Sequence, residues 1–377
     1  MRILRLLPLL LLSALAPAQN VPATRTLADL QRAFAAQFDA MYSGDQTPTR
    51  DQELTLRRRQ VEELGSFLQH EAKGNDRWEG RLMLADMNLQ LRQRDAAVTA
   101  LAGMDTDGAP PLMLLAAADM ALAIEAGELG DTLIQHALDR EASLEERMEM
   151  AKVLMTRLRM VERGEAIFAA ALGAAADDEQ RALVRYYQCE AIREREDIPE
   201  NSYYVELDKL AKDLPDTYWG GVARDRNQAS QFSLGAPAIG FSATALDGST
   251  QDLEALRGKA VLLLFWSALD PSSAELAATV AALQQAKGDD LHVLAVSVDP
   301  DPAAAGRAAK AMGAAFPMVC DGRGWRADLA LRYHVESVPT LIAIDRQGRI
   351  AGLNLHADTK MAREDLTAAV TRALQSN

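Results

Sequence analysis

An all-α helical-repeat array followed by an α/β domain is the fold class this sequence predicts, and three observations carry it. From Thr26 to about Ser230, apolar residues recur every three or four positions, the period of amphipathic helices. After Gln231 short apolar runs alternate with helical segments, the pattern of a sheet covered by helices. Within that second part, the unbroken run Val261-Leu262-Leu263-Leu264-Phe265 leads abruptly into a segment with Leu276, Val280 and Leu283 at helical spacing. It reads as a strand buried on both faces that turns sharply into a helix.

The helical part, residues 26–230, is punctuated at Thr47-Pro48, Gly74-Asn75, Gly108-Ala109-Pro110-Pro111, Gly127 and Pro199-Glu200-Asn201. Leu82, Leu84, Ala85, Met87, Leu89 and Leu91 mark one apolar stripe, and Ser143-Leu144-Glu145-Glu146 is a capping box opening another helix. Arg94-Asp95-Ala96-Ala97-Val98, Gly130-Asp131-Thr132-Leu133-Ile134 and Gly164-Glu165-Ala166-Ile167-Phe168 are each expected to open the second helix of a pair. They recur about every 34 to 36 residues, the period of a helical hairpin repeat. Together with Leu214-Pro215-Asp216-Thr217-Tyr218-Trp219, the array resembles tetratricopeptide proteins. Stacked hairpins of that kind expose a concave face suited to peptides or proteins, and a plain helical scaffold is the alternative. His70 and His136 stand alone on helices, Arg57-Arg58-Arg59 reads as a solvated face, and Met150, Met155 and Met160 read as core filling.

A net charge of −14 over 377 residues argues against nucleic acid or anionic membrane as partner. Residues 1–18 read as a signal peptide. Arg2 and Arg5 form the basic region, Leu6 to Leu15 the apolar core, and Ala16-Pro17-Ala18 the cleavage site. The apolar run is shorter than the ~20 residues a spanning helix needs, so a soluble exported protein, periplasmic or secreted, with no integral membrane segment after signal removal is expected. Cys189 and Cys320 are too few for a disulfide framework, and whether they bridge each other is open.

In the second part, residues 234–377, Asp247-Gly248 marks a hairpin between Phe241–Thr244 and Thr250–Leu253. Leu291 to Val298 reads as a second buried strand. Asp299-Pro300-Asp301-Pro302 caps a helix, Phe316 to Val319 is a short edge strand, and Leu329 to Tyr333 ends a helix. Thr340–Ile344 and Ile350–Leu355 form a hairpin around Asp345-Arg346-Gln347-Gly348, and a last helix runs from about Met361 to Leu374. His292 and His334 read as turn or surface residues, and Asp299, Asp301 and Asp358 as caps. No metal or nucleotide motif is found, and no cofactor is expected.

Gly235-x-Pro237-Ala238-x-x-Phe241, Leu256-x-Gly258-Lys259-x-Val261, Phe265-Trp266, Val296-Ser297-x-Asp299 and Tyr333-x-Val335-x-x-Val338-Pro339-Thr340 resemble the thioredoxin-like redoxin domains. These include TlpA/ResA-type thiol-disulfide oxidoreductases and the alkyl hydroperoxide reductase/thiol-specific antioxidant group. The resemblance implies a thioredoxin-like fold with a cis peptide at Pro339. It also implies a Cys-x-x-Cys after the strand, and there the chain departs from the family. The matching positions hold Asp270, Pro271, Ser272 and Ser273, so no catalytic residue is expected at this turn. Cys320 is the remaining thiol of the domain. It sustains the alternative of a thiol-disulfide oxidoreductase or peroxidase working with a partner thiol.

Asp270 precedes Pro271 as a helix N-cap, a carboxylate in the field that would otherwise stabilise a thiolate. What survives loss of the thiols is binding of an unidentified protein or peptide. The resemblance implies a groove in which an extended segment pairs with the backbone at Val338, beside Pro339, Asp270, Pro271 and Ser272, with Trp266, Leu269 and Pro339 as its apolar lip.

Overall fold

The computed structural model describes residues 25–376 apart from 44–46, 107, 200 and 314. The predicted signal peptide lies outside the described residues. Among them, no helix is long and apolar enough to cross a membrane. Two compact units emerge: one runs to Ala176 and takes in Tyr187–Pro199, the other comprises Asp177–Tyr186 and the chain from Asn201 onward.

The first unit contains α1 (Leu27–Tyr42), α2 (Arg50–His70), α3 (Asn75–Gln90), α4 (Arg94–Thr106), α5 (Pro111–Ala123), α6 (Gly127–Asp139), α7 (Leu144–Thr156) and α8 (Val161–Ala174). The helix α9 (Asp178–Arg193) contributes residues to both units. Capping boxes at Thr26, Thr49 and the predicted Ser143 open α1, α2 and α7. Helices α3 and α4, α5 and α6, and α7 and α8 pack as hairpins. Helix α5 is apolar nearly all round, with Met113, Leu114, Leu115, Ala117, Ala118 and Met120 buried, and so sits at the centre of this core.

The repeat has a physical basis that differs in detail from the sequence expectation. The second helices begin at Arg94, Gly127 and Val161, so only the first repeat motif opens its helix. Gly130 and Gly164 lie one turn inside, where a Cβ would fall 2.7 Å from the Leu122 side chain and 2.6 Å from the Ala151 carbonyl. Ala97, fully buried, holds the equivalent place in the first hairpin. Five residues before each stands a left-handed residue, Arg92, Glu125 or Arg159, which ends the preceding helix. At Gly164 even an alanine Cβ would strike the Ala151 backbone and push the paired helices apart, whereas at Gly130 it would meet the Leu122 side chain.

Glu79 of α3 is half-buried, and its Oε1 is buried with no hydrogen-bond partner. Burial, helped by Asp76 one turn earlier, raises its pKa from 4.5 to about 7. The folded state therefore holds this proton where the unfolded chain has released it, and stability falls as pH rises from about 4.5 through about 7. Glu79→Gln should flatten that decline and, at pH 8, stabilise the helical signal in urea melts by about 1 kcal/mol, allowing for solvent screening. Identical pH dependence in both proteins would exclude this account.

The second unit holds α10 (Asn201–Asp213), α11 (Tyr218–Ala229) and the α/β fold. A hairpin of β1 (Ser242–Thr244) and β2 (Thr250–Asp252) comes first. The main sheet has β3 (Ala260–Trp266) at its centre, in the order β5 (Met318–Val319), β4 (Leu291–Ser297), β3, β6 (Thr340–Ile344), β7 (Ile350–Leu355). Strands β3, β4 and β5 run parallel, whereas β6 is antiparallel to β3 and β7 to β6. Helices α12 (Pro271–Lys287), α13 (Pro302–Ala311), α14 (Asp328–Arg332) and α15 (Lys360–Gln375) complete it.

All of β3 is buried, as its unbroken apolar run requires. Its side chains alternate between two cores. Ala260, Leu262, Leu264 and Trp266 meet Leu276 and Val280 of α12 and Leu366 and Val370 of α15. Val261, Leu263 and Phe265 meet Leu329 of α14, Tyr333 and Phe241. The Gly348 turn of the β6–β7 hairpin has φ 73°, and an added Cβ would strike the Arg257 guanidinium. Caps fall partly where expected. Asp301 caps α13, but Thr359 rather than Asp358 caps α15, because its hydroxyl is the group that accepts from the Ala362 N–H.

Candidate functional site

The strand-to-helix turn after β3 is fixed from both sides by hydrogen bonds. On the helix side, Asp270 caps α12, accepting from the Ser272 N–H at 3.3 Å. The Ser272 hydroxyl lies 2.8 and 2.9 Å from the two carboxylate oxygens of Asp270. The Ser273 hydroxyl, fully buried, donates to Asp270 Oδ2 at 2.9 Å and accepts from the Ser267 N–H at 3.2 Å. A cap of this type contributes about 1 kcal/mol. Positions 270 and 273 are thus joined directly by a hydrogen bond.

On the sheet side stands Asp299, 4% exposed. It accepts from the Ser267 hydroxyl at 2.7 Å, the Ala268 N–H at 2.9 Å and the Ser297 hydroxyl at 2.6 Å. Three donors satisfy a buried carboxylate, and the partners hold the turn against the end of β4. By local pattern Asp299, like Asp301, is expected to be a helix cap. The carboxylate instead turns back to the residues after Trp266, because Asp301 already caps α13. The one local signal was the Val296-Ser297-x-Asp299 pattern.

Leu269, at the tip of the turn, is 58% exposed, and Pro271 and Ser272 are exposed beside it. Trp266 is not on an exposed lip: it is 1% exposed, because its place in β3 turns it into the core with Leu276 and Val280. The Val338–Pro339 peptide is cis. Both residues are partly buried and precede Thr340, which pairs with Phe265. Residues 338 and 339 therefore approach the same end of β3 from which the Ser267–Asp270 turn leaves.

Cys189 and Cys320 are both buried and neither is in a disulfide, so they do not bridge each other. Cys320 is 8% exposed, with Sγ 3.4 Å from the Asp299 carbonyl oxygen. Burial pushes its thiol pKa up, against smaller lowering effects from Gly322 and Ser297. His292 is partly buried, with Nε2 2.9 Å from Gln251 Oε1, and burial followed by Lys259 lowers its pKa. His334 is likewise not a surface residue, its side chain being 13% exposed. Among the described residues no group of three or more His, Cys, Asp or Glu side chains is placed to hold a metal ion.

A central parallel strand, a cap-bearing helix and a cis-proline loop at one end of a mixed sheet define a thioredoxin-like redoxin domain. Residues 234–352 match the AhpC/TSA family, and the chain belongs to that family through this domain. Over 134 residues it is 32% identical to the thioredoxin-like protein YneN of Bacillus subtilis (strain 168), covering 34% of this chain and 76% of that protein. Solved structures similar to it include the thioredoxin domain of a thiol-disulfide oxidoreductase from Bacteroides vulgatus, 22% identical with a TM-score of 0.32, covering 34% of this chain and 92% of that one. A thiol-disulfide oxidoreductase from Bacteroides fragilis is 25% identical with a TM-score of 0.31, covering 35% and 98%.

Proposed function

We propose that this is an exported redoxin-type protein, periplasmic or secreted, that has exchanged thiol chemistry for binding. Its ligand is a protein or peptide, held as an extended segment along the backbone at Val338 beside Asp270 and the exposed Leu269. The helical region, residues 26–230 in the division read from sequence, offers a second surface for partners. The observation that carries this reading is the Asp270–Ser273 hydrogen bond at the positions where the family carries its two cysteines. A serine hydroxyl is hardly ionised near neutral pH and forms no disulfide, so neither position supplies a redox nucleophile. Main-chain pairing needs no thiol, and a turn held by Asp299 and Ser273 keeps Leu269 in one place for an incoming segment. The burial and raised pKa of Cys320 weigh against that thiol as a substitute.

The native protein should therefore reduce neither insulin disulfides nor peroxides above a no-enzyme control. Cys320→Ser should behave identically, and the native thiols should react with an aromatic disulfide reagent only after unfolding. Turnover that disappears in Cys320→Ser would overturn the binding reading in favour of thiol chemistry.

A further inference from the structure

The residue that begins the loop to Val338 and Pro339, His334, packs against a helix outside the sheet, α10. His334 follows α14 with φ 51°, a left-handed conformation that disfavours most side chains. Its ring lies 6.5 Å from that of Tyr203 and 6.2 Å from that of Tyr204, the second at 80°, edge to face. The two tyrosine rings, both on α10, are themselves 5.0 Å apart at 62°. His334 Nε2 is also 3.1 Å from the Glu336 carboxylate. Backbone bonds flank the segment: Val335 N–H donates to Ala330 O, and Thr340 pairs with Phe265. Between them, Glu336 and Ser337 are exposed.

The α10–α11 hairpin is in turn fastened to α14. Arg332 pairs with both Asp225 and Asp328. The Tyr218 hydroxyl donates to Asp328 at 2.8 Å and accepts from Arg323 at 3.0 Å. Arg226 lies over the Tyr203 ring at 5.8 Å. A guanidinium shared by two carboxylates, one of them buried, fixes geometry more than an exposed pair does.

We propose that α10 is a positioning element for the Glu336–Pro339 loop, acting through the contact of Tyr203 and Tyr204 with His334. Glycine would satisfy the backbone at 334 without strain. What the histidine adds is a ring that ties the start of the loop to α10. The inference concerns the loop itself, so it holds or fails independently of whether the groove takes a peptide.

Hydrogen exchange of the full-length chain, followed by mass spectrometry, tests it. The native protein is compared with His334→Asn, Tyr204→Leu and the double variant. Asparagine tolerates the left-handed backbone but lacks the ring. Each single variant should speed exchange in peptides covering 335–341 by about two- to tenfold, the range an aromatic contact of this kind controls. Peptides from β4 should stay at the native rate. The double variant should match His334→Asn, because that change already removes the ring against which Tyr204 packs. Unchanged exchange in 335–341, acceleration shared equally by β4, or additive effects in the double variant would each overturn the proposal.

Discussion

Replacing Asp270 and Ser273 together by cysteine is expected to give a protein that forms an internal disulfide and reduces insulin. The two side chains already meet: Ser273 Oγ and Asp270 Oδ2 are 2.9 Å apart. They stand three residues apart across the start of α12, a separation at which Cα atoms fall within the ~4.4–6.8 Å a disulfide needs. The N–H of Ser272, now directed at the Asp270 carboxylate, would face a thiolate at position 270. A helix N-terminus lowers a cysteine pKa from about 8.5 into the range of roughly 3.5–7.5, so at pH 7 the thiolate fraction would rise from a few per cent to about a quarter or more. Loss of the aspartate cap costs about 1 kcal/mol, too little to unfold a domain whose central strand is fully buried. Intact mass after mild oxidation should show the loss of two hydrogens, and insulin should precipitate faster than with the native chain. Two thiols that persist through oxidation would mean that the turn has moved away from disulfide geometry altogether.

The parts of this fold that the sequence exposes are those specified locally. Val261 to Phe265 reads as a buried strand because no polar residue interrupts it, and Asp345-Arg346-Gln347-Gly348 reads as a hairpin because the turn needs a left-handed glycine. Asp270 is legible as a cap for the same reason: its partners are two and three residues away. What escapes is set by distant chain. Asp299 sits in an Asp-Pro run that local rules assign to capping, whereas its partner Ala268 is thirty-one residues back. His334 looks like a turn residue until Tyr203 and Tyr204 are placed beside it. Trp266 looks like a groove residue until the alternation of β3 sends it into the core. In the helical unit, the true helix ends depend on left-handed Arg92, Glu125 and Arg159, residue types that give no turn signal in the sequence.

Asp299→Ala should be among the most destabilising single changes in the second unit, by about 3 kcal/mol in urea melts. The carboxylate is the shared acceptor for the Ser267 hydroxyl, the Ala268 N–H and the Ser297 hydroxyl. The two serines lie where water has little access, Ser267 8% and Ser297 1% exposed, whereas Ala268 is exposed and its N–H bond to Asp299 is part-buried. Removing the acceptor strands donors, and each buried donor left unsatisfied costs about 1–3 kcal/mol. The two hydroxyls can rotate toward other acceptors, which holds the total to the lower part of the summed range. The Ala268 N–H has no such freedom, because the backbone fixes its direction. Asp299→Asn keeps one acceptor oxygen but turns an N–H toward a donor, so it should fall between native and alanine, at about 1–2 kcal/mol. The loss should be felt first at the turn. Exchange at Ala268 and Leu269 should quicken before that of β3, since these amides depend on Asp299 and on the Ser267 hydroxyl it orients, whereas β3 is paired on both sides. An alanine variant within about 0.5 kcal/mol of native, the range of an ordinary surface change, would mean that the Ser267–Asp270 turn holds its shape without this carboxylate.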